Sequence, residues 1–231
     1  MKLSLLRLAL VNPYEDYPMK NFMRQSAALL LLNLVLLALG GIDAVATEEV
    51  KYRVLESSGD FELRQYESSL GAETTVEGDF HEVGNEGFRR LFDYISGKNR
   101  KKQSIPMTSP VSQEASSEKI PMTAPVNQEK VGGAWRITFL MPSALTMETL
   151  PEPLDSRVKL VKIPGRLMAA LSYSGTWSRE RYEDKEKLLK ELIRQRGLKI
   201  EGEPVFARYN PPFMPWFLRR NEVLIPVGQV H

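Results

Sequence analysis

Ile105-Pro-Met-Thr-Ser-Pro-Val111 and Ile120-Pro-Met-Thr-Ala-Pro-Val126 write one phrase twice, fifteen residues apart, with a single Ser/Ala difference. Two prolines around a Met-Thr pair are incompatible with a helix interior or a central strand, because proline lacks the N–H that both ladders need. The phrase therefore predicts extended backbone at a sheet edge or a bulge. Its two copies predict a hairpin across the polar residues 112–119.

Further out lies a second repeat, at an offset of 97 residues. Phe61-Glu-Leu-Arg-Gln-Tyr66 aligns with Val158-Lys-Leu-Val-Lys-Ile163, Leu70 and Ala72 with Leu167 and Ala169, and Gly78-Asp-Phe80 with Gly175-Thr-Trp177. The register continues into the helical stretch, where Leu91, Phe92 and Ile95 fall on Leu188, Leu189 and Leu192. Both halves read strand, strand, Gly-x-aromatic turn, helix, which indicates internal duplication of one supersecondary unit.

Phe88, Leu91, Phe92 and Ile95 recur at helical spacing, with Gly97 as a stop. A second helix is expected over residues 180–196, with Leu188, Leu189, Leu192 and Ile193 inward and Gly197 as its cap. Strands are expected at Trp135-Arg-Ile-Thr-Phe-Leu-Met141, Pro204-Val-Phe-Ala-Arg-Tyr209 and Glu222-Val-Leu-Ile-Pro-Val227. Two such units give an antiparallel α+β domain with pseudo-two-fold symmetry.

Residues 1–46 differ from the rest. Residues 27–41 are almost wholly apolar, follow Lys20 and Arg24, and lead to Ala44-Val-Ala46 ahead of the polar Thr47-Glu-Glu. Read from Met19 rather than Met1, this is the pattern of an export signal cleaved after Ala46. An uncleaved membrane anchor or a buried helix are the alternatives. The expected product, residues 47–231, is one domain, exported to a periplasm or secreted, or held at a membrane if the leader stays. Loss of Lys2, Arg7, Lys20, Arg24, Glu15, Asp16 and Asp43 leaves 27 basic against 26 acidic residues, which gives no electrostatic case for nucleic acid. With no cysteine there is no disulfide, thiolate nucleophile or thiolate metal site.

Phe61-Glu-Leu-Arg-Gln-Tyr66, Glu86-Gly-Phe-Arg-Arg-Leu-Phe-Asp-Tyr-Ile-Ser-Gly-Lys-Asn99, the Met-Thr-x-Pro-Val phrases, Tyr209-Asn-Pro-Pro212 and Phe217-Leu-Arg-Arg-Asn-Glu-Val223 together resemble the SOUL heme-binding family. The resemblance implies a distorted eight-stranded antiparallel barrel of two units, each with one helix, as in bacterial effector-binding domains. It implies a heme or related tetrapyrrole, held non-covalently in an apolar cleft between the first helix and a late proline-rich loop. Phe88, Leu91, Phe92, Ile95, Phe213, Met214, Trp216, Phe217 and Arg219 are the candidate ligand-binding residues.

The residues of the loop agree on their own terms. Pro211-Pro-Phe-Met-Pro-Trp-Phe217 packs three aromatics and a methionine where loops are normally polar. Arg219, Arg220, Lys98, Arg100, Lys101 and Lys102 are cations suited to carboxylates at a cleft mouth. Where some members of the family carry a histidine proposed as axial ligand, this chain has Gln65, so no metal ligand is assigned; of His81 and His231, only His81 remains a metal candidate. Binding is therefore expected to be weak. A binding module for another amphipathic small molecule is the alternative, favoured if Glu222 points into a pocket. With two distant histidines and no cysteine, no catalytic residue is assigned; carboxylate chemistry through Glu222 or Glu86 has no support from spacing.

Overall fold

Fourteen strands and two α-helices make up residues 47–101 and 116–229, which the computed structural model describes. The strands are β1 (Glu48–Glu49), β2 (Tyr52–Ser58), β3 (Phe61–Tyr66), β4 (Ser69–Val76), β5 (Asn99–Arg100), β6 (Thr123–Ala124), β7 (Val126–Val131), β8 (Ala134–Leu140), β9 (Glu152–Pro153), β10 (Lys159–Ile163), β11 (Leu167–Tyr173), β12 (Leu198–Ile200), β13 (Val205–Arg208) and β14 (Asn221–Gln229). The helices are α1 (Phe80–Ile95) and α2 (Arg179–Gln195).

The main sheet runs β10-β4-β8-β7-β13-β14-β11-β3-β2, with every neighbouring pair antiparallel and β12 added on β14. The order is symmetric about the β7–β13 pair. On one side lie β8, β4 and β10; on the other lie their counterparts β14, β11 and β3. The sheet is strongly curved but open in its hydrogen bonding, with β10 and β2 as its edges. Period-two alternation gives it two unlike faces. One face is covered by α1 over β4 and β8, and by α2 over β11, β14 and β12. The other is concave.

Each helix seals its own half of the core. Leu91, Tyr94 and Ile95 pack with Ala72, Ile137 and Phe139, while Leu189 and Ile193 pack with Ala169, Leu171, Val223 and Ile225. Asp79 caps α1 and Ser178 caps α2, each accepting a backbone N–H of the first turn.

The structure refines the repeat. Gly78 and Gly175 adopt matching left-handed conformations, φ 133° and 131°, so the strand registers agree up to that turn. Beyond it the second half carries one extra residue. The fully buried Leu91 and Ile95 correspond to Leu189 and Ile193, and Leu188, expected to face inward, is exposed. Helix α1 also begins at Phe80, earlier than its apolar spacing signalled, because Phe80 is buried against Trp135, Tyr182 and Phe206.

The first Ile-Pro-Met-Thr phrase lies outside the described residues, as do the leader and residues 112–115 of the proposed hairpin. The second phrase is extended: Thr123–Ala124 pairs in parallel with Glu48–Glu49 in a small sheet of its own, and Val126 then enters the main sheet. No helix of the described residues is long and apolar enough to cross a membrane.

Gly87 lets α1 lie close on the sheet: a Cβ there would lie 2.6 Å from Ile137 Cγ1. Gly87→Ala is expected to cost about 1–3 kcal/mol by overpacking, against a helix-propensity gain of up to about 1 kcal/mol. Urea unfolding measures the balance; a stability equal to wild type would mean α1 is not seated as described.

Candidate ligand-binding site

The proline-rich loop is a rigid, apolar protrusion. Pro211, Pro212 and Pro215 restrict it, and residues 216–218 form a 3-10 turn. The Arg219 guanidinium donates to the carbonyls of Met214 (2.8 Å) and Pro212 (2.7 Å), and the Trp216 carbonyl accepts from Gly175 N–H (3.1 Å). With the backbone tied inward, the side chains project: Phe213 is 85% exposed, Trp216 and Phe217 each 58%, and Met214 is half-buried.

On α1 the predicted residues divide. Leu91 and Ile95 lie in the core. Phe88 and Phe92 stand outward, stacked with ring centroids 5.8 Å apart, and Phe88 meets Phe139 edge-on at 5.2 Å. Gly84, Phe88 and Phe92 share one helix face, being four residues apart.

Two residues that sequence reasoning did not single out for the site link this face to the loop. The Arg208 guanidinium lies against Gly84, where a Cβ would be 3.3 Å from its Nη1. The same guanidinium sits 5.1 Å from the Trp177 ring, and Arg219 lies 4.3 Å from that ring on behalf of the loop. Trp177 is held by its Nε1–H donating to Asn221 Oδ1 (2.7 Å). The seam thus runs from Phe92 and Phe88 through Gly84, Arg208 and Trp177 to Arg219. The signal was present in the strand: Arg208 alternates with the core residue Phe206, so its side chain had to enter the helix-covered face.

Of the other predicted cations, Lys98, Lys101 and Arg220 are engaged. Lys98 pairs with Asp93 and Lys101 with Glu118, while Arg220 pairs with Glu222 and Glu49. Lys102 and His231 lie outside the described residues. His81 is in the first turn of α1, exposed, its N–H bonded to Asp79. Gln65 donates to the Tyr66 carbonyl. Glu86 pairs with Arg90. Among the described residues, no three His, Cys, Asp or Glu side chains gather as a metal site would require.

Glu222 faces the concave side and is fully buried there. Its carboxylate accepts from Arg64 Nη1 (2.7 Å) and Nη2 (3.0 Å), Tyr209 Oη–H (2.8 Å), Ser172 Oγ–H (3.0 Å) and Arg220 Nε (3.0 Å). Burial alone would raise its pKa; the hydrogen bonds and charges of Arg64 and Arg220, with Tyr209, outweigh burial and hold it lowered. Burial raises Tyr66, beside Arg64, to about 12. A carboxylate this fully engaged has no lone pair left for a ligand. Beyond it the concave face holds a cavity of about 360 Å³, lined among others by Tyr66, Asn127, Thr138, Leu140, Met168 and Leu224.

An open, curved antiparallel sheet with two helices on one face, an apolar seam and a separate concave cavity defines a small-molecule binding module. The family model described as SOUL heme-binding protein matches residues 47–226, and the chain belongs to that family. It is 28% identical over 174 residues to Heme-binding protein 2 of Homo sapiens, covering 71% of this chain and 80% of that one. Heme-binding protein 2 of Mus musculus is 27% identical over the same length and coverage. Among solved structures, the EcmrR C-terminal domain superposes with a TM-score of 0.51 at 10% identity, over 78% of this chain and 99% of that chain, a likeness of fold.

Because Glu222 has a lowered pKa in the folded state, its contribution is present above the unfolded carboxyl value of about 4.5 and lost as pH falls through the folded value. Glu222→Gln leaves Arg64 and Arg220 without their shared charge and is expected to lose about 3–5 kcal/mol at pH 7. It should also flatten the decline of stability below pH 4.5. Urea titrations at pH 7, 5, 4 and 3 check both; an unchanged slope below pH 4.5 would assign that decline to other carboxyls.

Proposed function

We propose that the protein binds heme or a related tetrapyrrole non-covalently along the seam between α1 and the loop at residues 210–220, without catalysis and without a strong axial protein ligand. The observation that carries this reading is the outward stack of Phe88 on Phe92 beside the Arg208–Trp177–Arg219 ladder, an aromatic surface on rigid supports. A flat macrocycle burying on the order of 300 Å² of apolar surface gains roughly 7–8 kcal/mol, and association costs on the order of 4 kcal/mol or more. Stacking alone thus nets roughly 3–4 kcal/mol, a millimolar affinity, and contact between the ligand's acid groups and nearby cations has to supply what brings binding toward the micromolar range. Family membership and the names of the two mammalian relatives favour heme over other flat acids.

A second reading has its own observation. Asn127 Oδ1 is buried without a hydrogen-bond partner and lines the concave cavity, beside an Arg136 that is paired with Glu73 and Glu129. That arrangement suits another amphipathic small molecule, with its polar group at Asn127 and its apolar part over Leu140 and Leu224. The symmetric strand order is what duplication of one unit would leave. The apolar run of residues 27–41 followed by Ala44-Val-Ala46 supports export with cleavage after Ala46.

Titration with hemin and with iron-free protoporphyrin, followed by absorbance, tests the main reading. The two should bind with affinities within a few-fold of each other, since no coordinate bond distinguishes them. Phe88→Ser/Phe92→Ser should weaken both by about tenfold or more. Val161→Phe, which fills the concave cavity, should leave both unchanged. Absence of binding below about 100 μM, roughly 5.5 kcal/mol, would refute the tetrapyrrole reading; loss through Val161→Phe alone would move the ligand to the cavity.

A further inference from the structure

Arg208 is the exception among the arginines of the main sheet that are not exposed. Arg64 and Arg136 each meet a carboxylate. Arg208 meets none among the described residues. Its Nη2 donates to the neutral Gln128 Oε1 (2.9 Å), and its Nε is buried with no acceptor. Three aromatic rings surround the guanidinium: Phe206 at 4.8 Å, Trp177 at 5.1 Å and Phe80 at 5.8 Å. Burial lowers its pKa to about 10, opposed by Tyr173 and by no carboxylate.

Buried charges are ordinarily paired, since an uncompensated one loses its hydration with nothing in return. Ring faces offset part of that loss, but they accept no hydrogen bond from Nε. A second unmet group lies nearby. The Tyr173 hydroxyl is buried without a partner, and the Arg208 charge acts on it. Arg181, whose guanidinium packs on Gly175, acts on the same hydroxyl. The region has donors and positive charge in excess of acceptors, at the end of the Gly84–Phe88–Phe92 face.

We propose that Arg208 is the anion anchor of the seam: its guanidinium receives a carboxylate carried by the flat ligand whose apolar body lies along Phe88 and Phe92. The assignment rests on the seam being the binding site, and it names the ligand class as a planar aromatic acid. Arg219 holds the loop through its carbonyls, and Arg208 holds the ligand. A planar guanidinium suits a planar carboxylate, and a charge-assisted bond in a partly dry seam is among the stronger polar contacts available.

The test compares ligands that differ only in the acid. Full-length protein is titrated with hemin and with hemin dimethyl ester, and separately with 1-pyrenebutyrate and its methyl ester, followed by absorbance and pyrene fluorescence. Wild type should prefer each free acid by about tenfold or more. Arg208→Gln should abolish the preference and Arg208→Lys should retain part of it, with circular dichroism confirming the fold. Equal binding of acid and ester by wild type would overturn the anchor, whatever the variants do. So would a preference that survives Arg208→Gln. If hemin fails to bind while pyrenebutyrate binds in an Arg208-dependent way, the tetrapyrrole reading falls and the anchor stands; if neither acid binds, both fall.

Discussion

The Glu222 carboxylate is the constraint on which the rest of the structure depends. At 0% exposure it survives in the protein interior only because Arg64, Arg220, Tyr209 and Ser172 surround it with donors. Those donors come from β3, β11 and both ends of the loop between β13 and β14. One side chain therefore fixes four pieces of backbone relative to one another. The loop gains most, because Tyr209 precedes it, Arg220 follows it, and both bind Glu222. Arg220 carries the tie onward to Glu49 on β1 (2.9 Å). The apolar protrusion can be rigid at its tip because its roots are clamped by a buried ion cluster.

The same clamp decides which face of the sheet can bind what. With Glu222 occupied by two arginines, the concave side offers no free carboxylate at that position, so a cationic ligand cannot be held through it. The helix-covered face is closed over each half by α1 or α2. Its weak line is the symmetry axis, where β7 meets β13 and neither helix sits squarely. There Phe206 pairs across strands with Gln128, and Arg208 with Val126. Gln128 bridges the gap by donating to the Phe80 carbonyl (3.1 Å) and accepting from Arg208. A fold built from two helix-bearing halves leaves this junction to be filled by side chains, and the chain fills it with an arginine.

What the sequence disclosed followed from local physics. Apolar spacing located both helices, alternation located β8, β13 and β14, and the paired glycines at 78 and 175 located the turns, because left-handed backbone strongly favours that residue. What it withheld depended on tertiary contact. The extra residue after Gly175 is invisible to alignment at one offset, since Leu188 and Leu189 are equally apolar and only packing selects the second. The early start of α1 was hidden because Phe80 is buried by residues from both halves of the chain. Glu222 could be placed on a strand but not on a face, because one residue of register inverts the side. Arg208 was legible in part: its alternation with Phe206 placed a cation on an apolar face, and the missing carboxylate required the structure.

The arrangement also bears on iron. Gln65 belongs to β3 and, by alternation with Phe61 and Leu63, lies on the helix-covered face. Its side-chain amide donates to the Tyr66 carbonyl (3.2 Å), and glutamine is not among the residues that ordinarily hold heme iron, so the proposed seating on the Phe88–Phe92 stack draws on no coordinate bond from this position. Affinity then has to come from ring contact and from charge at the edge of the ring, and that makes an unpaired arginine at the end of the seam matter more than any metal ligand.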